Sequence, residues 1–122
     1  MVYLIDGIDI SNLLKAHSKF EEFRLHLDTD QNKAGAIQAF EFCYELSWKT
    51  MKRLLEVQGI NVYTPREAGL ILDPKPWFDF MKIRNITAHT YDKENVEQVI
   101  MIFDDFSTIL FSFLKNLEKL ND

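Results

Sequence analysis

The stretch KAGAIQAFEFCYELSWKTMKRLLEVQG, residues 33–59, decides the fold of this chain. Its apolar side chains recur every three or four residues, as they do along one side of an α-helix. They form a face wider than a single neighbouring helix covers: Ile37, Phe40, Tyr44, Leu46, Trp48, Met51, Leu54 and Leu55. Gly59 is a typical residue for the end of a helix. The stretch therefore predicts a long central helix that contacts both a bundle core and a second copy of the chain.

The segment before it, SNLLKAHSKFEEFRLHLD at residues 11–28, predicts a first helix. Ser11 is its expected N-cap, and Leu13, Leu14, Phe20 and Leu27 recur at helical spacing. His17 lies on or beside this apolar stripe. We interpret it as a partly exposed packing histidine, because a polar group at the edge of a core usually has a hydrogen-bond partner and no further role.

A short helix is predicted after residue 63. Thr64 suits the N-cap, Pro65 the first helical position and Glu67 the third, which is a capping box with proline in its favoured place. This helix is expected to reach about Leu72. The DPKP motif at residues 73–76 then ends it, because proline cannot continue a helix.

Two further helices complete the pattern. WFDFMKIRNITAHTY, residues 77–91, begins a helix near Pro76 or Trp77, with an apolar side made by Trp77, Phe80, Met81 and Ile83. The segment at residues 92–120 reads as one long final helix capped by Asp92. No segment alternates with period two for long, and NVYT at residues 61–64 is not credited as a strand. The chain is predicted to be all-α: an antiparallel up-and-down bundle of four main helices plus a short one, forming one domain over residues 1–122.

Composition limits the possible functions. The 14 Lys and Arg residues stand against 19 Asp and Glu, for a net charge of −5, so the chain has no bulk field that attracts nucleic acid. The single cysteine, Cys43, cannot form an internal disulfide and is compatible with a reducing compartment. The N-terminus lacks the basic region of a secretory signal, and the apolar runs are too short to span a membrane. A soluble, cytoplasmic protein is expected.

RNITAHTYD, residues 84–92, concentrates polar side chains of known chemical use in an apolar, helical region. His89 can act as a general acid or base, Arg84 can clamp a phosphate, and Tyr91 can bond, stack or accept a group on its hydroxyl. Asn85 lies four residues before His89 and shares its face. At ~100° per residue, Arg84 and His89 stand about 140° apart on a straight helix and do not converge.

Two readings of this cluster remain open on spacing alone. Arg84 could pair with Asp79 or Asp92, while Asn85 and His89 only satisfy the helix end. Alternatively, the polar groups could meet at a distorted helix end or across a two-fold axis. The three histidines lack metal-ligand spacing, so no metal or other cofactor is predicted.

The ordered motifs resemble a known family. RNITAHTYD looks like the R-x4-H-x-Y signature of the HEPN superfamily. With FEFCYELSWKTMKRLLEVQGI (40–60), TPREAG (64–69) and WFDFMKIRNITAHTYD (77–92), the chain more closely resembles the nucleotidyltransferase substrate-binding proteins, the small helical partners of minimal nucleotidyltransferases. The resemblance covers most of the chain from Ser11 onward.

The resemblance implies a homodimer whose two R-x4-H motifs face one cleft, and a separately encoded minimal nucleotidyltransferase as partner. It makes Arg84 and His89 the ligand-binding or catalytic pair, with Asn85 beside them. Tyr91 would line the cleft or carry an added AMP. Glu45, Trp48 and Lys49 match the family's second-helix pattern without an assigned chemistry.

The resemblance leaves two functions open. The chain could bind a nucleotide or another substrate for its partner without catalysing a reaction. Alternatively, it could be a metal-independent endoribonuclease toxin of a toxin–antitoxin module, silenced by AMP on Tyr91. Members of the family carry an extra turn or two of helix between TPREAG and Trp77, where this chain has only a short segment.

Overall fold

The computed structural model describes residues 4–5, 7–58, 71, 73–89 and 93–120, with the backbone alone at Gln58 and His89. These residues form two short strands and five α-helices: β1 (Leu4–Ile5), β2 (Ile8–Asp9), α1 (Ser11–Phe23), α2 (Asp30–Gln58), α3 (Lys75–Ile86), α4 (Lys93–Met101) and α5 (Phe103–Lys119). A 3-10 turn, Thr87–His89, follows α3. The prediction of a helical bundle is confirmed.

The small antiparallel sheet was not predicted. Leu4 pairs with Asp9 and Ile5 with Ile8 around a turn in which Gly7 has a φ of 82°, a conformation that glycine adopts without strain. Ile5 is fully buried, so the sheet anchors the N-terminal segment on the helical core. The other strand candidate, at residues 61–64, lies outside the described residues, as do Gly59 and the capping box at residues 64–67.

The N-cap of α1 differs from the predicted one, and α2 begins earlier than the predicted stretch. Ser11 is the first helical residue and not the N-cap, which is Ile10; the Ser11 backbone N–H donates to Asp9 Oδ1 at 2.8 Å. Helix α1 ends at Phe23, earlier than expected. Helix α2 starts at Asp30 because Thr29 Oγ1 accepts the Asn32 backbone N–H at 3.0 Å, as an N-cap side chain does.

Aromatic rings from four helices form the core. Phe20 of α1 meets Phe106 of α5 edge to face with centroids 5.3 Å apart, and Phe40 of α2 meets the same ring at 4.8 Å. From α3, Phe80 approaches Phe106 at 5.1 Å and Trp77 approaches it at 6.3 Å. Such pairs contribute about 0.5–1.5 kcal/mol each beyond area burial. Phe106 is therefore the residue through which α1, α2, α3 and α5 pack on one another.

The predicted final helix is two helices. Helix α4 ends at Met101, and Ile102, with φ −92° and ψ −1°, is the N-cap of α5.

The predicted apolar side of α3 needs one correction. Trp77 and Phe80 are buried and Ile83 packs against the core, but Met81 is exposed.

A polar network joins α1 to α5. Ser107 Oγ donates to Glu21 Oε1, and Arg24 donates to Glu21 Oε2 and to Asp104 Oδ1, both at 2.9 Å. Burial raises the pKa of Glu21, but the hydrogen bonds from Ser107 and Arg24 outweigh it and leave that pKa below its usual value. His17 lies 3.7 Å from Glu21 and is partly exposed, as predicted.

Cys43 is a core residue of α2. Its side chain is fully buried, and this burial raises the pKa of the thiol to about 12. Since the thiolate is the reactive form, burial disfavours it, and Cys43 packs as a small apolar residue of the core.

Candidate functional site

Arg84 on α3 is bound to a carboxylate of the central helix. Its Nε and Nη2 donate to Glu45 Oε1 at 3.1 and 2.6 Å, across 39 residues of sequence. These hydrogen bonds raise the pKa of the guanidinium above its usual value. Glu41, one turn earlier on α2, lies farther off, with Oε2 3.8 Å from Nη2. Arg84 therefore links α3 to α2 at this point.

Thr87 supplies the second contact of Arg84. The Arg84 Nη1 donates to Thr87 Oγ1 at 3.0 Å, and the same hydroxyl donates to the Arg84 carbonyl oxygen at 2.6 Å. Thr87 is 5% exposed. Thr87 is thus hydrogen-bonded to both the side chain and the backbone carbonyl of Arg84, at the point where α3 gives way to the 3-10 turn.

The hydrogen-bond count of the guanidinium shows what it can still bind. Arginine has five N–H groups, and among the described residues Glu45 and Thr87 accept three of them. One N–H on Nη1 and one on Nη2 have no acceptor among the described residues. Arginine can use an N–H on each terminal nitrogen to hold a phosphate or carboxylate bidentately.

The charges around Arg84 oppose an anion. One cation against two carboxylates, Glu41 and Glu45, leaves a formal charge of −1 at this position. An incoming phosphate is therefore not held by a diffuse positive field. A phosphate at this position would need direct hydrogen bonds to the guanidinium, and these depend on the orientation of Arg84.

Asn85 lies on the solvent side of α3, together with exposed apolar residues. Phe78, Met81 and Asn85 are spaced by three and four residues and share one exposed face; Phe78 is 53% and Met81 41% exposed. Phe42 of α2, which follows Glu41, is exposed as well. Helices α2 and α3 thus both carry exposed apolar side chains within a few residues of Arg84 and its partner Glu45 in sequence.

The structure locates the predicted site residues unequally. Arg84 and Asn85 are fully described, and the backbone of His89 belongs to the 3-10 turn. The His89 side chain and the whole of Tyr91 lie outside the described residues. Helix α3 ends between Arg84 and His89, which is compatible with both readings of the cluster. That the side chains of Arg84 and His89 come together stays a prediction.

Sequence reasoning missed the partners of Arg84. Of the two carboxylates proposed to pair with Arg84, Asp79 does not, and Asp92 lies outside the described residues. Glu45 matched the family pattern without an assigned chemistry, and Glu41 and Thr87 were not singled out. The spacing of three residues from Arg84 to Thr87 was the available signal. Contact with Glu45 depends on the register between two helices, which no local pattern indicates.

The described part of the chain holds neither a cluster of metal-ligating side chains nor a membrane-spanning helix. There, no group of three or more His, Cys, Asp and Glu side chains is arranged to hold a metal ion. No helix within the described ranges is both long and apolar enough to cross a bilayer.

Comparison with known proteins identifies the family. Residues 8–122 match the family described as "Nucleotidyltransferase substrate binding protein like". The chain belongs to this family. A curated relative, "Probable ribonuclease HepT" of Haemophilus influenzae, is 43% identical over an alignment that spans 72% of this chain and 68% of the relative.

A solved structure supports the same assignment. The Haemophilus influenzae protein HI0074 superposes with a TM-score of 0.77 and 34% identity, covering 90% of this chain and 97% of that one. It is described as revealing "the fold of a substrate binding domain of a nucleotidyltransferase". The chain therefore shares the fold of this solved substrate-binding domain over nine tenths of its length.

Proposed function

We propose that this chain is the HEPN-type helical subunit of a two-component nucleotidyltransferase system. In this proposal it binds a nucleotide or another phosphate-bearing substrate for a separately encoded minimal nucleotidyltransferase. The observation that carries the proposal is the family match over residues 8–122. The system would act in the cytoplasm, where nucleotides and RNA are available, and the chain would form one domain over residues 1–122.

Arg84 is the proposed ligand-binding group, together with Asn85, His89 and Tyr91. The support is chemical: the two remaining N–H groups of Arg84 suit a phosphate, and Asn85 stands beside it on the exposed surface. His89 and Tyr91 follow in the same motif. No cofactor or metal ion is part of the proposal.

The site is proposed to be completed by a second copy of the chain. Phe78 and Met81 expose apolar surface next to Asn85, which fits a contact between two α3 helices. A homodimer would bring two copies of the motif to one cleft. Light scattering of the purified chain measures this directly, and a monomeric mass at micromolar concentration would contradict it.

Co-expression with a nucleotidyltransferase encoded in a neighbouring reading frame tests the proposed partnership. We expect the two chains to co-purify, and Tyr91 to gain AMP when the complex is incubated with ATP. Mass spectrometry measures the addition, and a Tyr91→Phe variant serves as the control because it lacks only the acceptor hydroxyl. If the chains do not associate, the two-component assignment is wrong; if they associate without modification, only the role of Tyr91 is.

A second candidate function is that of a metal-independent endoribonuclease, the toxin of a toxin–antitoxin module. Two observations favour it: the relative named "Probable ribonuclease HepT" and the complete Arg84-Asn85-x3-His89-x-Tyr91 string. RNA carries its own 2′-hydroxyl nucleophile, so a general base and a cation suffice in principle. Arg84 would stabilise charge on the phosphate, His89 would transfer the proton and Asn85 would orient them.

Induction of the chain without its partner separates the two functions. A ribonuclease should stop growth and degrade RNA, and His89→Ala should reduce cleavage by about 10²–10⁴-fold, the usual contribution of general acid–base catalysis. His26→Ala is the matched control, because it removes a histidine from a different part of the chain. Normal growth and intact RNA with the wild-type chain would exclude the ribonuclease function, and the binding function would be the one that remains.

A further inference from the structure

We propose that Glu45 and Thr87 are positioning residues that hold the Arg84 guanidinium in the orientation that binds a ligand phosphate. The inference rests on the proposed ligand-binding function and deepens it. It assigns a role to two residues that lie outside the R-x4-H pair. Neither needs to touch the ligand, because each acts through Arg84.

The geometry of the two contacts supports this role. Glu45 holds Nε and Nη2 with a single oxygen, Oε1, and Thr87 holds Nη1. The guanidinium is planar, so contacts to all three of its nitrogens fix its plane as well as its position. Within the described ranges, one N–H on each terminal nitrogen has no other acceptor. The long, flexible arginine side chain is thereby ordered before a ligand arrives, which lowers the entropic cost of binding.

Charge alone predicts the opposite role for Glu45. A carboxylate next to an anion site repels the anion, so its removal should tighten binding. For charges roughly 6 Å apart in water, Coulomb's law gives a change of about threefold, and more where water is excluded. A positioning role predicts that removal weakens binding instead. The sign of the effect therefore distinguishes the two.

Glu41 provides a matched control on the same helix. It carries the same charge and lies near Nη2, but at 3.8 Å it is beyond hydrogen-bond distance. We expect Glu45→Ala to weaken AMP binding by roughly tenfold to a hundredfold, the scale of a misplaced binding group. We expect Glu41→Ala to leave AMP binding unchanged or to tighten it. Isothermal titration calorimetry at one fixed ionic strength measures both.

Thr87 is tested by a second matched pair. Thr87→Val keeps the shape of the side chain and removes the hydroxyl, whereas Thr87→Ser keeps the hydroxyl that contacts Nη1. We expect the valine variant to weaken AMP binding and the serine variant to bind nearly as wild type.

Because Glu45 is partly exposed, the Glu45→Ala variant should stay folded. Thermal unfolding without ligand checks this.

A readout on the arginine itself separates position from stability. In ¹⁵N spectra of the free protein, we expect the Arg84 Nε–H to be protected from exchange in the wild type and in Glu41→Ala. It should lose protection in Glu45→Ala; an Arg84→Lys spectrum assigns the signal. Unchanged protection in Glu45→Ala would overturn the inference.

The outcomes distinguish the inference from the proposed function. If the wild-type chain binds no AMP, ATP or inorganic phosphate, the ligand-binding function fails and the inference falls with it. If the wild type binds and Glu45→Ala binds equally or more tightly, the positioning role fails and the function stands. Weaker binding by Glu45→Ala with unimpaired binding by Glu41→Ala is the result that the geometry predicts.

Discussion

Replacing Phe106 by alanine should lower the free energy of unfolding by about 3–5 kcal/mol, the range measured for buried phenylalanines. Phe106 is completely buried and lies within 5.3 Å, centroid to centroid, of Phe20, Phe40 and Phe80. Alanine would leave a cavity shared by four helices, so no single helix could move in to close it. Small domains have only about 5–15 kcal/mol of stability in total, and much of it would be lost.

Phe111 is the matched control for this prediction. It lies on the same helix and is 55% exposed, with Lys115 Nζ 5.2 Å from its ring centroid. Phe111→Ala should change the free energy of unfolding by no more than about 0.5 kcal/mol, as exposed substitutions usually do. Urea unfolding followed by circular dichroism measures both variants. Equal losses in the two variants would show that Phe106 is not the centre of the core.

Helical periodicity was sufficient to predict the bundle. The stripe from Ile37 to Leu54 on α2 and the buried aromatics of α5 repeat at 3.6-residue spacing, and this signal comes from burial of one helix face. The break at Ile102 could not be read in the same way, because no glycine or proline marks it. The pair Asp104 and Asp105 in the first turn of α5 was the available sign of a helix start.

The N-terminal strand pair was missed for a related reason. Its strands have two residues each, too short for alternation to be visible. The Asp-Gly pair at residues 6–7 is a known hairpin signal, and Gly7 does adopt the positive φ that such turns need. Local turn chemistry, and not hydrophobic periodicity, carried the information here.

The candidate site was predictable only as far as it is local. Arg84 and Asn85 were named from one motif, and Thr87 stands within the same motif. The contact between Arg84 and Glu45 joins two helices 39 residues apart, so it depends on how α3 packs on α2. Packing of this kind follows from the shapes of many side chains together, and one sequence does not reveal it.

Arg84→Ala should abolish the stabilisation of the chain by phosphate-bearing ligands. A ligand at 100 times its dissociation constant stabilises a folded protein by about 2.7 kcal/mol. For a chain of this size, that corresponds to a rise in melting temperature of roughly 10 °C. The alanine variant loses both N–H groups that remain for the ligand and leaves Glu41 and Glu45 to repel it.

Arg53→Ala is the control for Arg84→Ala, because it removes the same charge from an exposed position of α2. The control should keep the full ligand-induced shift, so that any loss in Arg84→Ala is specific to the site. Both variants should unfold at nearly the wild-type temperature without ligand, since both positions are at least partly exposed.

The melting temperature of the wild-type chain with and without AMP, ATP or inorganic phosphate, compared with that of Arg84→Ala, tests the central claim most directly. The proposed function predicts a clear rise for the wild type with at least one of these ligands and none for Arg84→Ala. An equal rise in both proteins would contradict the assignment of the site to Arg84. No rise in the wild type at saturating concentrations would contradict phosphate binding itself.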